Sequence, residues 1–100
     1  MGTVRVIAEI TARADKVTEV EMILKKIIAP TRQENGCLSY QLFRNDHHGT
    51  EFLFIEEWTD EQSIEAHFNT PHIQEALNQA IPFLAKAPNI QKYTCLAECT

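Results

Sequence analysis

Three stretches of the chain alternate between apolar and polar positions with a period of two, which is the spacing of β-strands. They cover residues 3–12, 37–45 and 51–58, and residues 89–99 show a further run of the same kind. The segment NDHHGTE between the second and third runs contains Gly49 and predicts a turn. These two strands are therefore expected to form a hairpin, with His47 and His48 exposed to solvent at its turn.

After Asp15 the apolar spacing changes to that of an α-helix. The apolar stripe contains Val17, Val20, Leu24, Ile27 and Ile28, and is widened by Met22 and Ile23. Pro30 is expected to end or kink this helix near Ala29, because proline lacks the amide hydrogen that a helix needs. Asn35 and Gly36 predict the turn that follows, in which glycine can adopt a positive φ.

Two further helices are predicted in the second half of the chain. Asp60 is a suitable N-cap for a short helix over residues 61–68, because its side chain can accept a hydrogen bond from the first turn. Thr70 and Pro71 combine a cap with a first-turn proline at the start of the next helix. The apolar positions of that helix are Ile73, Ala76, Leu77, Ala80 and Ile81, and Pro82 and Pro88 close the region.

The predicted order is β-α-β-β-α-β in a single domain over residues 1–100, which is the α+β arrangement of ferredoxin-like proteins. It places helices on one face of an antiparallel sheet. The strand EFLFIEEW is apolar on both faces, with Phe52, Phe54 and Trp58 opposite Leu53 and Ile55. Because the helices cover one face only, we expect a second copy of the chain to cover the other, in a homodimeric α+β barrel. A different protein partner is the alternative.

Net charge and cysteine content limit the expected binding partners and the expected cellular compartment. Nine basic and fourteen acidic residues give a net charge of −5, and the basic residues are scattered, so neither nucleic acid nor a membrane is an expected partner. The first residues lack the layout of a signal peptide, and we expect a cytoplasmic protein. Cys37, Cys95 and Cys99 are interpreted as small buried or edge residues. On one strand Cys95 and Cys99 would lie too far apart for a disulfide.

A set of residues along the chain resembles the antibiotic biosynthesis monooxygenase family of small dimeric α+β barrel proteins. The set comprises Arg32-x-Glu34-x-Gly36-Cys37-Leu38-x-Tyr40, Phe54-x-Glu56-x-Trp58, His67 and Thr70-Pro71-His72. The resemblance implies a cofactor-independent monooxygenase, similar to quinol monooxygenases, that oxidises a small phenolic or quinol substrate with O2. One branch of the family isomerises a small phosphorylated sugar. An acid/base isomerase of a small carbonyl compound and a non-catalytic dimeric ligand-binding module are therefore alternatives.

An oxygenase without metal or flavin needs a base, a polar clamp and a dry apolar pocket, because a deprotonated phenol or quinol passes electrons to O2 more readily. Histidine suits the role of base, since its pKa is about 6.5. The predicted catalytic residues are His67, His72 and Glu56. The predicted substrate-binding residues are Tyr40, Phe54, Trp58 and Arg32.

These residues also have structural interpretations. His67 follows Ile64 by three residues, so it shares the inward face of its helix and fits a structural histidine as well as a base. Glu56 is either a partly buried carboxyl with a raised pKa or the ion-pair partner of an arginine such as Arg32 or Arg44.

Aromatic residues in the same region leave similar alternatives. Trp58 and Phe54 fit a core as well as an aromatic wall for a planar substrate. Tyr40 either donates a hydrogen bond to a substrate oxygen or places its hydroxyl in water.

No cofactor is expected. The sequence contains no HxH or HExxH pattern and no glycine-rich phosphate loop, so metal, nucleotide and flavin sites have no sequence signature. The haem-binding residues of a related branch would correspond to Ile10 and Leu77, so haem is not expected either.

Overall fold

The predicted strands form one antiparallel sheet in the order β2-β3-β1-β4. The structure, a computed structural model, describes residues 2–98. The strands are β1 (Val4–Thr11), β2 (Cys37–Arg44), β3 (Glu51–Trp58) and β4 (Asn89–Tyr93). The helices are α1 (Val17–Lys26), α2 (Ile28–Arg32), α3 (Glu61–Phe68) and α4 (Pro71–Ala80), followed by a 3-10 turn at Ile81–Phe83. The α+β ferredoxin-like prediction is therefore confirmed.

The two faces of the sheet differ in cover, as the alternation in β3 predicts. Phe52, Phe54 and Trp58 are buried on the face that packs under the helices. The helical side of this core comes from α1 and α4, through Val20, Ile23, Leu24, Ile73, Ala76 and Ala80. The opposite face pairs Ile7 with Ile55 and Phe43 with Leu53. Phe43 on that face is 46% exposed, so an apolar surface lies outside the core of the single chain.

The first helical region is divided differently from the prediction. The break lies at Ile27, and Pro30 lies inside the short helix α2. Pro30 is tolerated there because amides in a first turn have no partner within their own helix. Ile23 is buried as predicted, but Met22 is 57% exposed and does not widen the apolar stripe.

The predicted fourth strand is too long. β4 ends at Tyr93, and Cys95 lies beyond it and is disulfide-bonded. The distance argument against a disulfide was wrong for Cys95, because it assumed a continuous strand; Cys99 lies outside the described residues. Ile81 is also 56% exposed, since α4 ends at Ala80 and the chain turns there.

The turns and caps that carry the site residues are those predicted. Gly36 has a φ of +86°, and a Cβ there would collide with the Ser63 side chain. Asp60 caps α3, its carboxylate accepting from the Ser63 amide at 2.8 Å. Thr70 caps α4 ahead of Pro71. Among the described residues, no helix has both the length and the apolar character that crossing a membrane requires.

Candidate active site

A small cavity lies between the sheet and the helices, with a volume of about 50 Å³. Its walls are mainly aliphatic and aromatic side chains from both layers. Three polar side chains join them, and these are Tyr40, Glu56 and His67. An apolar cavity with a few convergent polar groups is the usual form of a small-molecule site.

His67 is the buried base candidate at this cavity. It lies in the last turn of α3, three residues after the buried Ile64, and is 1% exposed. Its ring centroid lies 4.8 Å from that of Trp58 and 5.5 Å from that of Tyr40. Burial lowers the pKa of His67, and its contact with Glu34 acts in the opposite direction. The ring is therefore held in place and favoured in its neutral form.

Glu34 connects the two predicted histidines. Its Oε2 atom lies 2.8 Å from Nδ1 of His67 and 2.7 Å from Nε2 of His72. Glu34 follows α2 and His72 lies in the first turn of α4, so three separate segments meet at one carboxylate oxygen. Sequence analysis assigned no role to Glu34, although the residue stands in the motif that suggested the family.

The three residues also offer donor atoms of the kind that divalent metals bind. These atoms lie within 4.8 Å of one another. The carboxylate-to-nitrogen distances of 2.7 and 2.8 Å are hydrogen-bond lengths. The two contacts to Glu34 are therefore described as a hydrogen-bonded cluster.

Glu56 is a buried carboxyl on the cavity wall, 3% exposed. Burial raises its pKa to about 7, although its bond from the Trp58 indole acts in the opposite direction. The Nε1–H of Trp58 donates to Oε1 of Glu56 at 2.9 Å. The predicted alternative, an ion pair with Arg32 or Arg44, is wrong. Arg44 pairs with Glu21, and Arg32 donates to the backbone carbonyl of Tyr40.

Tyr40 presents a phenol ring to the cavity and is 3% exposed, so its hydroxyl does not lie in bulk water. The ring stacks on Phe54 with centroids 4.8 Å apart. Burial, followed by the nearby Glu56 charge, raises the pKa of Tyr40. The nearby side chain of Thr31 acts against this rise in the pKa of Tyr40. Tyr40 therefore stays protonated and can act as a hydrogen-bond donor.

The structure brings some predicted site residues to the cavity and leaves others outside. Phe54 joins the three polar residues on its wall. Trp58 is fully buried behind it, bonded to Glu56 and packed on His67. His72 lines a separate outer cleft with Lys26, Glu75 and Gln79. Arg32 is exposed and ties α2 to β2.

Comparisons with known proteins agree with this architecture. The sequence profile of the family described as antibiotic biosynthesis monooxygenase matches residues 3–79. A Synechocystis protein, sll1783, is 32% identical over 88 residues, which make up 88% of this chain and 60% of that protein. The chain thus spans less than two thirds of that relative.

Two solved structures are similar over nearly the whole chain. Rv0793 from Mycobacterium tuberculosis has a TM-score of 0.92 and 27% identity, covering 99% of this chain and 100% of its own. PA3566 from Pseudomonas aeruginosa has a TM-score of 0.91 and 32% identity, covering 97% of both chains. The sheet order and helix placement are therefore shared well beyond the residues that line the cavity.

Proposed function

The chain belongs to the antibiotic biosynthesis monooxygenase family, and from that premise we propose that it is a cofactor-independent monooxygenase of a small phenol or quinol. The observation that carries this proposal is a buried histidine, hydrogen-bonded to a carboxylate, on the wall of an apolar cavity. A base in a dry pocket is what a phenol needs before it can pass an electron to O2.

For a hydroquinone substrate the reaction balances without an external reductant. One atom of O2 enters a ring C–H bond, and the two quinol hydroxyl groups become carbonyls. The hydrogen atoms that these hydroxyl groups lose leave with the second oxygen atom as water. The substrate supplies every electron that O2 accepts, partly from the C–H bond and partly from the oxidation of quinol to quinone.

The residues on the cavity wall divide the work of this reaction. His67 takes the hydroxyl proton of the substrate, because it is neutral and buried beside the substrate space. Tyr40 donates a hydrogen bond to a substrate oxygen, and its neighbour Phe54 packs against the ring. Glu56, with a pKa of about 7, can return a proton to the departing oxygen atom near neutral pH.

Substrate binding must widen the cavity. A volume of about 50 Å³ is well below the roughly 150 Å³ of an engineered apolar cavity that binds benzene. Ile90 lines the cavity from the edge strand β4 and is 39% exposed. Leu84 and Pro88, from the segment that precedes β4, also line the cavity. We expect the substrate to enter there, since an edge strand with exposed side chains moves at the lowest cost.

An acid/base isomerase of a small carbonyl compound is the second candidate. It is favoured by Glu56, because a carboxyl with a pKa of about 7 can exchange a proton with a substrate carbon without any oxygen chemistry. His67 and Glu56 would then act as paired bases. A non-catalytic ligand-binding module would use the same cavity but consume neither O2 nor substrate.

An isotope experiment separates these candidates. Purified protein is incubated under heavy-isotope O2 with a panel of hydroquinones and, separately, with a panel of small carbonyl compounds, and the products are analysed by chromatography and mass spectrometry. A monooxygenase places one labelled atom in the product and one in water. A parallel reaction in heavy-isotope water with ordinary O2 controls for exchange. An isomerised product with no label supports the second candidate, and unchanged substrates support the binding module.

A further inference from the structure

We infer that Glu34 is a positioning residue that keeps the proton of His67 on Nδ1, so that the lone pair of Nε2 faces the cavity. The role of Glu34 in catalysis rests on the proposed function, whereas the tautomer of His67 follows from the hydrogen bonds alone. The hydrogen-bond network around Glu34 fixes the tautomer in three steps.

The hydrogen bonds of the Thr70 hydroxyl show which nitrogen of His72 is protonated. Its hydroxyl donates to the backbone carbonyl of His67 at 2.7 Å, which uses its one proton. The same hydroxyl oxygen lies 3.3 Å from Nε2 of His72. Because it has no second proton to give, it can only accept there. Nε2 of His72 must therefore carry a hydrogen.

One carboxylate oxygen of Glu34 accepts hydrogen bonds from both histidines. The one hydrogen on Nε2 of His72 is shared between the Thr70 oxygen at 3.3 Å and Oε2 of Glu34 at the shorter distance of 2.7 Å, and an ionised carboxylate has no proton of its own. Nδ1 of His67 lies 2.8 Å from that same oxygen. Two hydrogen bonds of this length to one acceptor require a hydrogen on each nitrogen. The His67 proton is therefore on Nδ1.

The packing of the His67 ring determines the direction in which its Nε2 atom points. A neutral imidazole carries one N–H, so Nε2 of His67 keeps a lone pair. The ring lines the cavity while Glu34 lies outside the cavity wall. Trp58 and Phe68 pack against the ring at centroid distances of 4.8 and 5.1 Å and prevent it from turning. The unprotonated nitrogen is consequently held towards the substrate space.

Nitrogen NMR of the histidine rings tests the inference without any substrate. The chemical shift of an imidazole nitrogen reports whether it carries a proton. In the wild-type protein we expect His67 to be protonated on Nδ1 and bare on Nε2. A wild-type spectrum with the His67 proton on Nε2 would overturn the inference, whatever the variants do.

Two substitutions at Glu34 and one control assign the effect to the carboxylate. Glu34→Ala removes the acceptor, so we expect the His67 proton to move to Nε2. Glu34→Gln has the same shape and keeps an oxygen acceptor, and we expect Nδ1 to stay protonated. Glu65→Ala, an exposed position on the same helix as His67, should leave the spectrum unchanged. A His67 tautomer that is the same in Glu34→Ala and in wild type would contradict the role of Glu34.

Kinetics then connect the tautomer with the proposed function. We expect Glu34→Ala to lower kcat with little change in KM, by at most the about 10²–10⁴-fold that a general base contributes. Glu34→Gln should recover part of that loss. Equal kcat values for Glu34→Ala and wild type would exclude a positioning role. A wild-type protein that consumes no O2 would refute the proposed function, while the NMR result would still decide the tautomer.

Discussion

Glu56 is the cavity residue whose charge is most sensitive to pH near neutrality. Burial raises its pKa from 4.5 to about 7. The folded protein therefore holds this proton to a higher pH than the unfolded chain does. By linkage, the contribution of Glu56 to stability is fully present below about pH 4.5 and is lost as the pH rises towards 7. Across this whole pH interval, the contribution of Glu56 to the free energy of unfolding falls by on the order of 3 kcal/mol.

Glu56→Gln is expected to remove this pH dependence, because the amide does not ionise while its oxygen can still accept from Trp58. The measurement is the free energy of unfolding by urea at several pH values between 4 and 8. The stability of wild type relative to the variant should fall across this range. The pKa of His67 is lowered by burial in both proteins, so its opposite effect cancels in the difference. A difference that stays constant with pH would show that Glu56 ionises freely.

At the scale of residues, the sequence predicted which side chains surround the cavity. It predicted less well which hydrogen bonds these side chains form. Periodicity placed Phe54, Glu56 and His67 on inward faces, and the structure agrees. The contact between Glu34 and His67 joins positions 33 residues apart, and no local pattern reports such a pair. Arg32 was predicted to bind substrate, yet its guanidinium donates to the backbone carbonyl of Tyr40.

At the scale of elements, the turn between α2 and β2 determines how closely α3 approaches the sheet. Gly36 has a positive φ, and its carbonyl accepts from the Thr59 amide at 2.9 Å. The position is also packed against Ser63 on α3, the helix that carries His67. A side chain at Gly36 would therefore disturb both the backbone conformation and the helix that positions the base.

Gly36→Ala is expected to destabilise the fold by about 1–2 kcal/mol from the left-handed conformation alone, with a further cost from the collision with Ser63. Gly49→Ala is the matched control, because a Cβ there meets nothing within 4 Å and its φ is not positive. That variant should stay within about 0.5 kcal/mol of wild type. The measurement is the stability of wild type, Gly36→Ala and Gly49→Ala, determined by thermal unfolding. Equal destabilisation by the two alanines would refute this account of the turn.

The elements themselves were largely predictable, and the errors fall where local signals compete. Strand alternation and the Asp60 and Thr70 caps identified the main boundaries correctly, because each depends on neighbouring residues. Pro30 suggested an end to the first helix, but the actual break at Ile27 depends on how α2 packs against β2. The fourth strand ended early, since alternation continues in sequence beyond the last residue that pairs with β1.

At the scale of the whole molecule, the open face of the sheet is the main feature that one chain leaves unexplained. Ile7, Leu53 and Ile55 are only partly buried there, and Phe43 and Tyr93 are nearly half exposed. Exposed apolar patches of this kind mark interaction surfaces. We propose that a second copy of the chain covers this face, because one self-complementary surface is enough to form a symmetric dimer.

Sedimentation at micromolar concentration tests the dimer. We expect a mass of twice 11.4 kDa for the wild-type protein. Ile55→Lys places a charge at the centre of the apolar face and should yield the monomer. Gln62→Lys, at an exposed position of α3, is the control and should remain dimeric. A wild-type monomer would contradict the proposal and leave the open face to a different partner.

Oxygen consumption is the measurement that tests the central claim most directly. Purified, metal-stripped protein is mixed with a panel of quinols and phenols in an oxygen electrode, as wild type, His67→Ala and His47→Ala. The account predicts uptake with at least one substrate and a rate lower by about 10²–10⁴-fold in His67→Ala. His47→Ala, in the exposed hairpin turn, should match wild type. No uptake by wild type with any substrate, or equal uptake by His67→Ala, would contradict a monooxygenase that uses His67 as its base.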